Sequence, residues 1–179
     1  MLAKIGPALS RLWNRLVKKT PSPHVIGMSF VDLIVLSRSA KQETRSVLAA
    51  LTDTERERVR FETMLLQGFV IEYVTAEVFR DRPETQGILT AYHGALDHLA
   101  GQDPVWEAFT AELRQRLPRY AAAALAPTLD QRLSCIGDIF AGACGDAGNR
   151  TLSTLGIIEF EMQYVATYKQ CRTYIGAFA

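Results

Sequence analysis

Glu62 sits where an acid has to be accounted for. In RFETMLLQGFVIEYVTAEVF, stepping 100° per residue places Val59, Leu65, Leu66, Phe69, Val70 and Tyr73 in one apolar arc, and Glu62 projects into its centre. A carboxylate in that position must be paired, hydrogen-bonded or kept neutral by a raised pKa, because an isolated charge in an apolar interior is too costly to keep. Glu72 falls at the edge of the arc, and Glu77 returns to the same side about four turns further on.

A similar conflict recurs in TLSTLGIIEFEMQYVATYKQCRTYIGAF. There Ile157, Phe160, Tyr164, Tyr168, Cys171, Ile175 and Phe178 form an aromatic-rich stripe, bordered by Glu161, with Arg172 about three turns away on nearly the same line. If the two helices are antiparallel neighbours, Glu62 meets Arg172 or Glu161 in the interior. Glu62, Glu161 and Arg172 are therefore the predicted buried polar groups, read first as ion pairs or helix-to-helix hydrogen bonds.

Two inward glutamates on facing helices are also half of the carboxylate set with which helical bundles hold a pair of metal ions. The other half is missing, since no Glu-x-x-His occurs in the chain. Of His24, His93 and His98, only His93 shares a helix face with an acid at i, i+4 spacing, namely Asp97. Glu62, His93 and Asp97 are the residues a metal would draw on; the sequence predicts no dedicated metal site and no cofactor. Nucleophilic catalysis has less support still, because Ser134 and Ser153 lie in no G-x-S-x-G turn and Cys135, Cys144 and Cys171 form no C-x-x-C. The loop GDAGNR, Gly145 to Arg150, offers backbone amides and Arg150 to an anion at a helix start, but matches neither phosphate-binding fingerprint; its default reading is an inter-helix loop.

These residues need helices to position them, and the punctuation supplies helices almost throughout. Thr20-Pro21-Ser22-Pro23 separates a leading segment from the rest. Helices are predicted over about 25–38, 41–51 and 53–80, the last opened by a capping box of Thr52 and Glu55. Others follow from Pro83 to about Leu99, from Asp103-Pro104 to Leu117, from Thr128 to about Ala143, and from Thr151 to about Gly176. Pro118 is read as a break or kink, with a short alanine-rich turn at 121–125 beyond it. No strand pattern and no internal repeat appears. The predicted fold is all-α, a single irregular bundle of about six to eight helices with the 53–80 and 151–176 helices as its central pair. The predicted division is 1–20, a basic amphipathic N-terminal helix, and 21–179, one helical domain.

The leading segment carries the clearest pattern. Lys4, Arg11, Arg15, Lys18 and Lys19 precede the first acid, Asp32, although the whole 179-residue chain has a formal net charge of only +1. Leu9, Leu12, Trp13, Leu16 and Val17 fall in one arc, and Lys4, Arg11, Arg15 and Lys18 cluster opposite. This suits a helix lying in an anionic membrane interface or docking in a partner's groove. The body after Lys19 is mildly acidic, which excludes a general nucleic-acid-binding domain. With 48% hydrophobic and 22% charged residues the composition is that of a folded globular chain, and the longest apolar run, Val25 to Leu36, is too short to span a membrane.

The sequence thus predicts a non-enzymatic accessory or adaptor protein, docking through Leu9, Arg11, Leu12, Trp13, Arg15, Leu16 and Lys18 to a protein partner or anionic membrane surface. The expected location is the cytoplasm, peripheral to the membrane where that surface is used. The alternatives are a ligand- or metal-binding bundle, enzymatic or not, built on Glu62 and Glu161, and a small inhibitor or immunity-type protein acting through its acidic surface. Three scattered cysteines suit a reducing compartment, and the Arg- and Ala-rich composition suits a GC-rich bacterial genome.

Overall fold

One helix is buried on every side, and the others are arranged around it. In the computed structural model, which describes residues 21–40 and 51–178, the helices are α1 (Pro23–Ala40), α2 (Asp53–Val78), α3 (Glu84–Ala100), α4 (Pro104–Ala124), α5 (Leu129–Ala143) and α6 (Arg150–Phe178). From Glu62 to Ile71 every residue of α2 is buried, and α2 touches each of the other five described helices. A helix apolar on one face alone would be seated on one neighbour; this one is enclosed. The described residues form an all-α bundle without strands, and none of their helices is long and apolar enough to cross a membrane. The amphipathic pattern of residues 1–20, and most of the helix predicted over 41–51, lie outside the described residues.

Local chemistry sets the helix starts. Thr52 accepts from the Glu55 amide at 3.3 Å while the Glu55 carboxylate accepts from the Thr52 amide at 2.7 Å, the reciprocal cap expected from the sequence. Those bonds from Thr52 hold the Glu55 carboxyl below its ordinary pKa. Asp103 caps α4 through the Val105 amide, with Pro104 in the first turn, and Thr128 with Gln131 forms a second capping box at α5.

Two expectations about architecture are corrected. Pro118 does not end its helix: α4 runs through it to Ala124. The proline removes one backbone bond, a cost of about 3 kcal/mol in a helix interior. Phe109 and Leu113 before it, with Tyr120 and Ala124 after it, are all buried, and that burial offsets the lost bond. The second concerns the antiparallel arrangement under which Glu62 would meet Arg172 or Glu161. Thr63 meets Gln163 and Gln67 meets Thr167, while Phe69 meets Phe160 and Tyr73 meets Tyr164. Contacts that advance together mean that α2 and α6 run in the same sense, not antiparallel.

Helices α1 and α3 also run in the same sense, Pro23 lying at Gly87 and Gly27 at Ala91. Gly27 makes this possible, because a Cβ there would fall 2.4 Å from the Ile88 carbonyl oxygen and 2.7 Å from the Tyr92 nitrogen. Backbone cannot yield as a side chain can. Gly27→Ala should therefore destabilise the protein by about 1–3 kcal/mol. Gly94→Ala, where a Cβ meets nothing within 4 Å, should instead stabilise it by about 0.5–1 kcal/mol. Urea denaturation of the two variants tests both signs.

Candidate functional site

Glu62 is 3% exposed, and its partners come from α4. The Tyr120 hydroxyl donates to Oε1 at 2.7 Å and the Arg116 Nε donates to Oε2 at 3.4 Å, with Arg116 also 3.7 Å from Glu112. Burial pushes the Glu62 pKa up, while the Tyr120 bond and the Arg116 charge pull against it; the net direction is upward. Burial, and then the Glu62 charge, raises Tyr120 well above the ordinary phenol value and carries the Cys144 thiol to about 12. A thiol in that environment stays protonated at neutral pH and is a packing group rather than a nucleophile. The cluster is saturated: carboxylate, phenol and guanidinium hold one another.

Neither expected partner reaches Glu62. Glu161 and Arg172 are both exposed, and the buried acid of α6 is Glu159, at 4%. The buried line of α6 runs Leu152, Leu155, Glu159, Gln163, Thr167, Cys171 and Tyr174; of the aromatic-rich stripe that the sequence suggests, Phe160 and Cys171 are buried while Tyr168 is exposed, so the buried face is rotated from that stripe. Gln163 donates to the Thr63 carbonyl and Gln67 donates to Thr167, each at 3.2 Å, so these polar side chains bridge the two long helices from inside. The spacing of 152, 155, 159, 163, 167, 171 and 174 carried this signal, but its polar members masked it.

His93 and Asp97 share α3 but turn to different neighbours, His93 toward α2 and Asp97 toward α4. Asp97 accepts from Arg114 at 2.7 Å, while His93 Nε2 lies 3.4 Å from Glu72 Oε1, too poorly aligned to be a hydrogen bond. Glu62 belongs to a separate cluster, and among the described residues no three His, Cys, Asp or Glu side chains are grouped to hold a metal ion. Burial raises the Glu72 pKa to about 7 and lowers that of His93. The neighbouring Tyr92 hydroxyl is fully buried and has no hydrogen-bond partner; burial first, and then the Glu72 charge, raises its pKa well above the phenol value.

The GDAGNR loop is closed to an anion at the start of α6, because the Asn149 side chain already accepts from the Thr151 and Leu152 amides at 3.0 and 3.1 Å. Gly145 turns the chain there with φ of 100°, a conformation that side chains avoid. Ser153 donates to Asp138 at 3.1 Å, tying α6 to α5, and Cys171 is buried with its pKa raised to about 12.

A cleft of about 330 Å³ lies between α2, the end of α4, α5 and α6, and a wider, shallower one of about 760 Å³ lies between α1 and α3. In the first, Tyr73, Phe160 and Tyr164 form one wall and Leu129, Leu133 and Ile136 the other, with Glu77, Arg132 and Glu161 also lining it. The Tyr164 hydroxyl donates to Glu77 at 3.0 Å. No family model, curated protein or solved structure matches this chain. Sequence periodicity could not find the cleft, since its walls come from segments up to about ninety residues apart that meet only in the fold.

Two variants test these environments. Glu62→Ala, which strands Tyr120 and Arg116, should cost about 3–5 kcal/mol, and Glu62→Gln, which keeps an acceptor for Tyr120, about 1–2 kcal/mol, both read from urea midpoints. At Glu72 the folded protein holds the proton more tightly than the unfolded chain. Its stabilising contribution is complete below the unfolded value of about 4.3 and fades as pH rises through about 7. Glu72→Gln should thus be more stable than wild type at pH 8, by on the order of 3 kcal/mol, and show little difference near pH 4. Thermal melts across that range would reveal the divergence.

Proposed function

We propose that this protein is a non-enzymatic accessory or adaptor protein whose helical body, residues 21–179, presents a binding surface and whose residues 1–20 attach it to an anionic membrane surface or a protein partner. The observation that carries this reading is the segregation of charge: five cations and no acid in the first twenty residues, set against a mildly acidic remainder.

The arrangement of the body supports it in two ways. The polar groups with the best spacing for chemistry are engaged in holding helices together: Glu62 with Tyr120 and Arg116, Asp97 with Arg114, and Asn149 with the start of α6. Several large apolar side chains meanwhile face solvent on the α5–α6 side, including Leu129 at 65% and Val165 at 48%. Scattered apolar exposure is ordinary on a protein surface, but these two also line the cleft. The cleft favours a second reading, a ligand-binding bundle, which is compatible with attachment through residues 1–20.

Each cation near an anionic bilayer contributes about 1 kcal/mol, a contribution that salt screens. The full-length protein should sediment with anionic vesicles and not with neutral ones, and salt should release it. Reversing Arg11, Arg15 and Lys18 together to Glu should reduce vesicle binding by on the order of a hundredfold or more. Undiminished binding by the triple variant would remove the membrane form of the proposal, and pull-down with the intact chain would then test the protein-partner form.

A further inference from the structure

The cleft combines three features whose combination selects a ligand. Its volume of about 330 Å³ falls at the lower end of small-molecule sites, which span roughly 300–1,000 Å³. One wall is aliphatic, from Leu129, Leu133 and Ile136. The opposite wall is aromatic: the rings of Tyr73 and Tyr164 lie 6.4 Å apart at 47°, with Phe160 6.0 Å from Tyr164. The hydrogen bond from Tyr164 to Glu77 fixes the ring and the carboxylate together, so the aromatic face and the negative charge are presented as one unit.

The charges lining the cleft do not balance. Glu77 and Glu161 supply two carboxylates against one guanidinium, and Arg132 is turned back to donate from Nε to the Ala126 carbonyl at 2.7 Å. An aromatic face attracts a cation through its quadrupole, and adjacent carboxylates attract it through charge. An anion would meet two carboxylates. A neutral apolar ligand would fill the aliphatic side and displace water from the carboxylates without replacing those hydrogen bonds.

We infer that the α2–α5–α6 cleft binds an organic cation, an amine or quaternary ammonium head carried on an aromatic or alkyl body. The body lies against Leu129, Leu133 and Ile136, and the head sits between the Tyr73 and Tyr164 rings and the Glu77 and Glu161 carboxylates. The inference rests on reading the helical body as a binding scaffold, and not on where residues 1–20 attach.

Three probes with one apolar body and different heads test it on the full-length protein by isothermal titration calorimetry: phenylbutylamine, phenylbutanol and phenylbutyrate. The amine should bind about five- to tenfold more tightly than the alcohol, with phenylbutyrate weakest, and added salt should narrow the difference. Glu77→Gln combined with Glu161→Gln changes two exposed side chains and keeps an acceptor for Tyr164, so the fold is retained. It should bring the amine down to the affinity of the alcohol. Tyr164→Leu should weaken the amine more than the alcohol.

Equal binding of amine and alcohol, tightest binding of phenylbutyrate, binding of none of the three, or full amine affinity in the double Gln variant would each overturn the inference. Vesicle sedimentation of the wild-type protein separates this outcome from the attachment proposal. Salt-sensitive sedimentation together with no amine binding by the wild-type protein leaves attachment standing and the cleft assignment refuted.

Discussion

A single buried carboxylate joins the two halves of a helix that cannot hold itself straight. Pro118 interrupts the backbone bonding of α4, and the residues two before and two after it, Arg116 and Tyr120, both reach Glu62 on α2. The bonds that α4 lacks along its own axis are thus replaced by bonds across to its neighbour. Glu62 in turn is kept in the interior because both its oxygens are occupied. Removing Glu62 leaves the buried Tyr120 hydroxyl without its acceptor and takes from Arg116 its buried partner, the condition under which polar groups become expensive. Aromatic packing reinforces the joint, with Phe69 stacked on Tyr120 at 5.3 Å and Phe61 edge-on to Phe109.

Enclosing α2 on all sides has a further effect on which residues are found inside. A helix surrounded by neighbours must bury whatever polar side chains its sequence contains, and Thr63, Gln67 and Thr75 are all buried together with Glu62. Gln67 and the Thr63 carbonyl are met by Thr167 and Gln163 of α6. Apolar surfaces tolerate sliding by a turn, whereas paired amides and hydroxyls fit only one offset, so these bonds fix the register of α6 on α2.

Much of the local structure was legible in the residues themselves. The Thr52–Glu55 and Asp103-Pro104 starts are short-range chemistry, and Glu62 is marked as internal by its place in a 3.6-residue pattern. Its partners were not legible, because Arg116 and Tyr120 flank a proline that reads as the end of a helix. The α6 register was missed for the opposite reason: aromatic residues dominate any apolar count, yet Tyr168 is 38% exposed while Thr167 beside it is fully buried. Burial there follows hydrogen bonding across to α2 rather than side-chain type. The Glu72–His93 proximity and the cleft arise only when separate helices meet, and no spacing along one helix encodes them.

The shared direction of α2 and α6 also shapes how the chain reaches this structure. Parallel neighbours cannot be joined by a tight turn, so Gln67 finds Thr167 only across 100 positions of intervening chain. The α5–α6 hairpin closes across a short loop and can assemble early, but α2 has no cover on that side until α6 has been synthesised. Until then the most enclosed helix of the bundle is left open along one side, which makes the growing chain, rather than the finished one, the form more exposed to aggregation.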